Sequence, residues 1–71
     1  MVNYRVQASL VGGGMQFLVY ETADPNEAYL MAKQQQARKG FDVAIVEYRT
    51  GKPELFYTVE EFKSIKTREG L

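Results

Sequence analysis

The chain has 71 residues, with nine basic and nine acidic side chains, no histidine and no cysteine. This composition excludes disulfides, thiolate nucleophiles, imidazole acid–base chemistry and the common zinc and iron sites. It also argues against a dedicated nucleic-acid binder, which normally carries a basic excess because phosphate contacts dominate its affinity. We expect residues 1–71 to form a single domain with a frayed tail over residues 66–71.

The composition also bears on where the protein works and on its partners. An extracellular domain of this size usually needs disulfides, so we expect a cytoplasmic location. The first residues alternate between apolar and polar and lack the pattern of a signal peptide, and no apolar run approaches membrane-spanning length. A net charge of zero gives little repulsion between copies, which favours a homodimer or a stable protein partner.

A glycine-interrupted hairpin is predicted at the start of the chain. Residues 2–11 alternate between apolar and polar, which is the pattern of a strand with one buried face. Three glycines follow, and Met15 to Glu21 is predicted as the second strand. A two-residue Gly12-Gly13 turn puts the strong apolar residues on one face. The partners in that register are Leu10 with Met15, Ala8 with Phe17 and Val6 with Val19.

The segment from Asp24 to Gly40 predicts the main helix. Asp24 suits the N-cap, Pro25 the first helical position and Glu27 the capping-box position. The basic Arg38 and Lys39 are expected in the last turn, with Gly40 just beyond the helix end. A stripe with two small residues predicts close approach to a sheet, and its members are Ala28, Met31, Ala32 and Gln35.

The rest of the chain predicts two more strands and a short helix. Residues 41–49 form the third strand, residues 54–58 the fourth, and residues 59–66 a helix that opens with a capping box from Thr58 to Glu61. The result is an α+β fold with the order ββαββα and a four-stranded, mainly antiparallel sheet. A right-handed crossover favours the strand order 2-1-3-4, and order 1-2-3-4 is the alternative.

Alternation along the strands assigns residues to the two faces of the sheet. The face expected to take the main helix comprises Val6, Ala8, Leu10, Met15, Phe17, Val19, Val43, Ile45 and Phe56. The opposite face adds Ala44 to the eight residues of our candidate binding site: Arg5, Gln7, Leu18, Tyr20, Val46, Tyr48, Leu55 and Tyr57. This face is too apolar to stand in water without cover.

Three kinds of cover are open for that face. The C-terminal helix can fold beneath it through Val59, Phe62 and Ile65. A second copy of the chain can pack against it, or a different macromolecule can bind there. Tyrosine and arginine are enriched where proteins bind one another, because they combine a large contact area with a polar tip.

The absence of a chemical motif points to binding rather than catalysis. Neither serine has a histidine to activate it, the carboxylates suit caps and solvated surface, and no loop gathers metal ligands, so we expect no enzyme activity, cofactor or metal. The predicted function is a protein-binding module, homodimeric or not, that serves as an accessory regulator or inhibitor through the tyrosine-rich face or a strand edge. The alternative is a single-stranded RNA or DNA binder that stacks bases on that face.

One resemblance accompanies these patterns. The segment YRVQAS, followed by an alanine-bearing helix and then GFDVAIVE, resembles the opening half of a SPOR-type peptidoglycan-binding domain. The second βαβ half of such a domain has no counterpart in this chain, so peptidoglycan binding is not carried over.

Overall fold

The described residues of the chain form a four-stranded sheet and two helices. The computed structural model describes residues 2–13, 16–38 and 40–68, with side chains described through residue 65. Its elements are β1 (Val2–Leu10), β2 (Phe17–Thr22), α1 (Pro25–Gln36), β3 (Phe41–Arg49), β4 (Leu55–Thr58) and α2 (Val59–Arg68). All strand pairs are antiparallel, and the strand order is β2-β1-β3-β4. The predicted α+β class, element order and strand order are confirmed.

The first hairpin keeps the predicted register only near its turn. Gly12 and Gly13 have φ values of 93° and 103°, a region that glycine enters at little cost, and Ala8 pairs with Phe17 as predicted. Further along, Val6 pairs with Tyr20 rather than Val19, because the register shifts by one residue within β2.

β2 begins at Phe17, and the predicted pairing of Leu10 with Met15 lies outside the described residues.

Helix α1 begins as the sequence indicates. Asp24 is the N-cap, its carboxylate accepts a hydrogen bond from the Asn26 amide at 2.9 Å, and Pro25 occupies the first turn. The predicted capping box is wrong. The Asp24 amide donates to the Thr22 hydroxyl at 3.1 Å, and the Glu27 carboxylate accepts from the Tyr20 hydroxyl at 2.6 Å. The connection between β2 and α1 is short, so Thr22 and Tyr20 lie close to the helix start. They bond to Asp24 and Glu27 in place of a contact between the Glu27 carboxylate and the Asp24 amide.

Helix α1 ends earlier than the sequence indicates. The C-cap is Ala37, so Arg38 lies beyond the helix, and Lys39 lies outside the described residues. Gly40 has a φ of 86°, and its carbonyl accepts a hydrogen bond from the Val11 amide at 3.0 Å. This bond ties the connection into β3 to the end of β1, so Gly40 belongs to that connection and not to the helix cap.

The core lies between one face of the sheet and both helices. It joins apolar residues of the two central strands to residues of α1 and α2: Tyr4, Val6, Ala28, Ala32, Ile45, Val59 and Phe62. The two alanines of α1 are fully buried, which allows the close approach that the sequence predicts. The predicted core members Leu10 and Phe17 are 53% and 47% exposed, because they lie near the hairpin end of the sheet.

Helix α2 packs beside α1 and not beneath the sheet. The Thr58 hydroxyl accepts from the Glu61 amide at 3.1 Å and the Glu61 carboxylate from the Thr58 amide at 2.9 Å, which confirms the second capping box. The Phe62 ring lies edge-on to Tyr4 at 5.5 Å and to Tyr57 at 5.8 Å, between ring centres. Cover of the opposite face by α2 is therefore wrong.

The C-terminal end of α2 extends further than predicted. The helix continues to Arg68, whereas the sequence predicts an end at residue 66 and fraying beyond it. Residues 69–71 lie outside the described part of the chain. Across the described ranges, neither helix has the length and apolar character needed to cross a bilayer.

Candidate binding surface

Helices α1 and α2 both pack on one face of the sheet, and the described part of the chain places no helix on the other. We call this surface the open face. It carries alternate residues of the two central strands with their partners in the outer strands: Asn3, Arg5, Gln7, Ser9, Leu18, Glu21, Asp42, Ala44, Val46, Tyr48, Phe56 and Thr58. Glu54, just before β4, reaches the same side through an ion pair with Arg5 at 3.6 Å.

The structure brings together five of the eight predicted site residues. These five lie on the open face: Arg5, Gln7, Leu18, Val46 and Tyr48. The remaining three lie on the helix-covered face, so their predicted placement is wrong: Tyr20, Leu55 and Tyr57. Each of the three is opposite a residue of the helix-covered face, namely Val6, Glu47 and Ile45 respectively.

Tyr20 changes face because of the irregularity in β2. The register shift between Val6 and Gln7 leaves Val19 without a partner of its own, and both Val19 and Tyr20 pack against the core. A β-bulge of this kind alters the side-chain alternation locally. The period-2 pattern of the sequence contains no sign of the extra residue.

Strand β4 is turned over relative to the prediction. Tyr57 pairs with the buried Ile45 and Phe56 with Val46, so Phe56 belongs to the open face and Leu55 and Tyr57 do not. Three consecutive apolar residues carry no alternation to indicate the correct face. A usable signal exists elsewhere, since an apolar residue just before an N-cap often packs on the fourth helical residue, here Tyr57 on Phe62.

A polar cluster occupies the middle of the open face. The Arg5 guanidinium lies 4.1 Å from the centre of the Tyr48 ring, in a cation–π contact. Arg5 Nε is 3.4 Å from Glu21 Oε2, and the Tyr48 hydroxyl donates a hydrogen bond to the same carboxylate oxygen. Arg5 thus ties β1 to Glu21 in β2, to Tyr48 in β3 and to Glu54 before β4.

These contacts shift the pKa values of the cluster away from neutrality. The hydrogen bond from Tyr48 is the main cause that lowers the pKa of Glu21, and Arg5 lowers it further. The hydrogen bond to Glu21, followed by desolvation, raises the pKa of Tyr48. The hydrogen bond with Tyr48 is the largest cause that raises the pKa of Arg5. All three groups therefore keep their charge states across the neutral range.

The stability supplied by the Tyr48–Glu21 bond is expected to depend on pH at both extremes. The lowered pKa of Glu21 means that its contribution is present above the ordinary glutamate pKa of about 4.3 and is lost as pH falls through the lower folded value. The raised pKa of Tyr48 means that its contribution is present below the ordinary tyrosine pKa of about 10 and is lost as pH rises through the higher folded value.

Urea unfolding of the wild type and of Tyr48→Phe at a series of pH values measures this dependence. The difference in unfolding free energy is expected to be constant between the two limits and to shrink beyond each. A difference that does not change with pH contradicts the assigned bond. The Tyr20–Glu27 bond is present in both proteins, so it cancels from the comparison.

Apolar side chains project from the outer strands on either side of this cluster. Leu18 in β2 is 55% exposed and Phe56 in β4 is 61% exposed. Between them, Val46 is fully buried although neither α1 nor α2 covers it. Its cross-strand neighbours Arg5 and Phe56 flank it, so the centre of the face is closed to water while both sides offer apolar surface.

The open face carries an excess of negative charge. Arg5 is its one cation among the described residues, against the carboxylates of Glu21, Asp42 and Glu54, which gives a net charge of −2. The whole chain is neutral, so the compensating positive charge lies elsewhere on the molecule. Sequence reasoning missed this imbalance because it did not place the three carboxylates on one side.

Hydrogen-bond acceptors line a small cleft at the hairpin end of the sheet. The cleft measures about 150 Å³, and its polar lining comes from Gln7, Ser9, Gln16 and Asp42. The Gln7 side-chain oxygen is buried and accepts no hydrogen bond from the described residues. A carboxylate, a hydroxyl and two amides in one cleft suit a donor such as an ammonium or guanidinium group.

Comparison with protein-family models, with curated proteins and with solved structures finds no match for this chain. The geometry and charge of the open face are therefore the features that bear on function.

Proposed function

We propose that the chain is a non-enzymatic protein-binding module whose open face contacts a partner that is both apolar and basic. The observation that carries this proposal is the packing of both helices on the same side of the sheet, which leaves Leu18 and Phe56 more than half exposed on the other. Exposed apolar side chains around a closed centre resemble the surfaces that proteins bury on association.

The charge of the open face selects the kind of partner. A surface with a net charge of −2 attracts lysine and arginine side chains and repels a second copy of itself placed face to face. The acceptor-lined cleft beside Gln7 and Asp42 offers a place for one such cation. A different protein with a basic surface is therefore favoured over the homodimer.

The strand edges support the face as the contact surface. Edge strands that resist pairing with other chains are often short, bulged or bounded by proline. β4 has four residues and follows Pro53, and β2 contains the register shift opposite Val6 and Gln7. Both edges thus carry features that oppose the addition of a further strand.

The titratable groups of the open face support binding without catalysis. A general acid or base works best when its pKa is close to the working pH. The pKa of Tyr48 is raised and that of Glu21 is lowered, so both move away from neutral pH. A protein without catalytic activity acts by binding to its partner, as an accessory regulator or inhibitor does.

Single-stranded nucleic acid fits the open face less well. Tyr48 and Phe56 offer aromatic rings, but the Tyr48 ring already stacks with Arg5, and three carboxylates repel phosphate. We expect no gel shift of a single-stranded RNA or DNA oligonucleotide at low salt. A shift that weakens steeply as salt rises would favour this alternative instead.

The proposal is tested with two glutamate substitutions matched for exposure. Phe56 on the open face and Leu30 on α1 are each 61% exposed. Immobilised wild type, Phe56→Glu and Leu30→Glu are incubated with a lysate of the native host, and each captured protein is purified for measurement of its Kd. We expect Leu30→Glu to bind like the wild type and Phe56→Glu to bind roughly tenfold or more weakly, as for a hot-spot residue.

The outcomes of this experiment separate the possible occupants. Binding that weakens with added salt, together with a monomer in sedimentation equilibrium, supports a basic hetero-partner. A dimer that Phe56→Glu dissociates assigns the face to a second copy and overturns the hetero-partner. Equal binding by the two variants, or no protein with the expected pattern, contradicts the use of the open face.

A further inference from the structure

We propose that a cleft at the β3–β4 hairpin binds a small carboxylic acid with an apolar chain. The cleft measures about 350 Å³ and is lined by Glu47, Arg49, Lys52, Pro53 and Leu55. Glu47 and Leu55 are cross-strand partners on the helix-covered side of the sheet. The cleft is therefore separate from the open face, and its failure as a site leaves the proposed function untouched.

A tight turn forms one side of the cleft. The Lys52 amide donates to the Arg49 carbonyl at 3.1 Å, and Gly51, the third residue of the turn, has a φ of 78°. These values are those of a type II turn, in which glycine is preferred at this position. The turn places the Arg49 and Lys52 side chains at the rim, next to Pro53.

The rim of the cleft carries positive charge that is only partly neutralised. Arg49 Nη2 lies 3.4 Å from Glu47 Oε2, and the Glu47 side chain is only 5% exposed. This buried carboxylate binds one N–H group of the guanidinium, and the Arg49 side chain is 57% exposed, so a ligand can reach it. Lys52 makes no ion pair with the side chains that the structure describes, so the cleft has a net charge of +1.

The wall of the cleft is apolar. Leu55 is 49% exposed although it lies on the helix-covered side, and Pro53 stands beside it. The aliphatic parts of the arginine and lysine side chains extend this wall. A half-exposed leucine next to two cationic groups suits a ligand that combines an apolar body with a single anionic group.

Size and geometry narrow the class of ligand. Clefts that hold small molecules span about 300–1,000 Å³, and this one is near the lower limit. A guanidinium and a carboxylate are planar groups that match one another through paired hydrogen bonds, and the ammonium of Lys52 adds a second charge contact. A short-chain or medium-chain carboxylic acid fits both the rim and the wall.

The test is an amide chemical-shift titration of the full chain with octanoate. We expect saturable shifts centred on residues 47–55, and at least roughly tenfold weaker binding to Lys52→Glu, since the favourable contact becomes a repulsion. Lys63→Glu is the matched control, because Lys63 is an exposed lysine on α2 away from the cleft. Octanamide supplies the same chain without the charge, and we expect it to bind far more weakly.

Three results would overturn the proposal. The first is an absence of saturable shifts around the hairpin at millimolar octanoate. The second is equal binding of octanoate and octanamide, which removes the role of the charge. The third is equal binding of octanoate by Lys52→Glu and Lys63→Glu. Neither lysine is buried, so the two variants are expected to fold alike.

Discussion

Replacing Phe62 with alanine is expected to lower the free energy of unfolding by about 3–5 kcal/mol, which is the usual cost of removing a buried phenylalanine. The Phe62 side chain is 1% exposed and joins α2 to Tyr4 of β1 and Tyr57 of β4 through two edge-to-face ring contacts. Its loss leaves a cavity and removes both aromatic pairs.

The magnitude matters because a small domain has little stability to lose. Native proteins are stable by about 0.05–0.15 kcal/mol per residue, so a loss of this size removes a large share of the stability of a 71-residue chain. Urea unfolding followed by circular dichroism measures it. Lys63→Ala, at the next and exposed position of α2, is the control and should change the unfolding free energy by less than about 0.5 kcal/mol. A loss below about 1 kcal/mol in Phe62→Ala would show that α2 is not part of the core.

The sequence predicts the fold well because its local signals agree with one another. The Asp24 cap, the Pro25 start and the Thr58–Glu61 capping box are short-range features, and each occurs in the structure as expected. The strand order follows from the handedness of the crossover and the need to pair antiparallel strands. These are properties of backbone geometry and need no knowledge of distant contacts.

The candidate site is harder to predict because it depends on which of the two sheet faces each strand residue occupies, and successive residues alternate between the faces. One bulged residue in β2 is enough to move Tyr20 to the other side of the sheet. In β4, the run Leu55-Phe56-Tyr57 has no polar residue to mark a face. β1 alternates along its length and pairs with β3 without a register shift, so the predicted face of Arg5, Val46 and Tyr48 agrees with the structure.

The side of the sheet on which α2 packs cannot be predicted from the sequence pattern, for a different reason. Its apolar residues, among them Val59 and Phe62, suit either side of the sheet equally. In the structure, Phe62 packs against the rings of Tyr4 and Tyr57, and both of these rings lie on the helix-covered face. The charge of the open face can be counted only once the position of α2 is known. That position determines which face is uncovered, and therefore which carboxylates share it with Arg5.

Neighbouring residues of β4 are expected to respond very differently to the same substitution. Tyr57 faces the helices and contacts Phe62, so Tyr57→Glu places a carboxylate against the core and is expected to cost about 2 kcal/mol or more. Phe56 faces away from the helices and is 61% exposed. Phe56→Glu is therefore expected to cost less than about 1 kcal/mol, which is within the range of strand preferences at an exposed site.

This contrast follows from the face assignment alone and needs no binding partner. Each variant serves as the control for the other, because the two changes introduce the same charge one residue apart on the same strand. Circular dichroism of Phe56→Glu should match that of the wild type. Tyr57→Glu should be partly unfolded or should unfold at clearly lower urea concentration.

We infer that one face of the sheet holds the fold together while the other is free to bind. The most direct test is the unfolding free energy of Phe56→Glu and Tyr57→Glu, measured side by side in urea at neutral pH. We predict a small loss for Phe56→Glu and a loss larger by at least about 1 kcal/mol for Tyr57→Glu. Equal losses, or a larger loss for Phe56→Glu, would mean that the open face is covered within the chain and would contradict the claim.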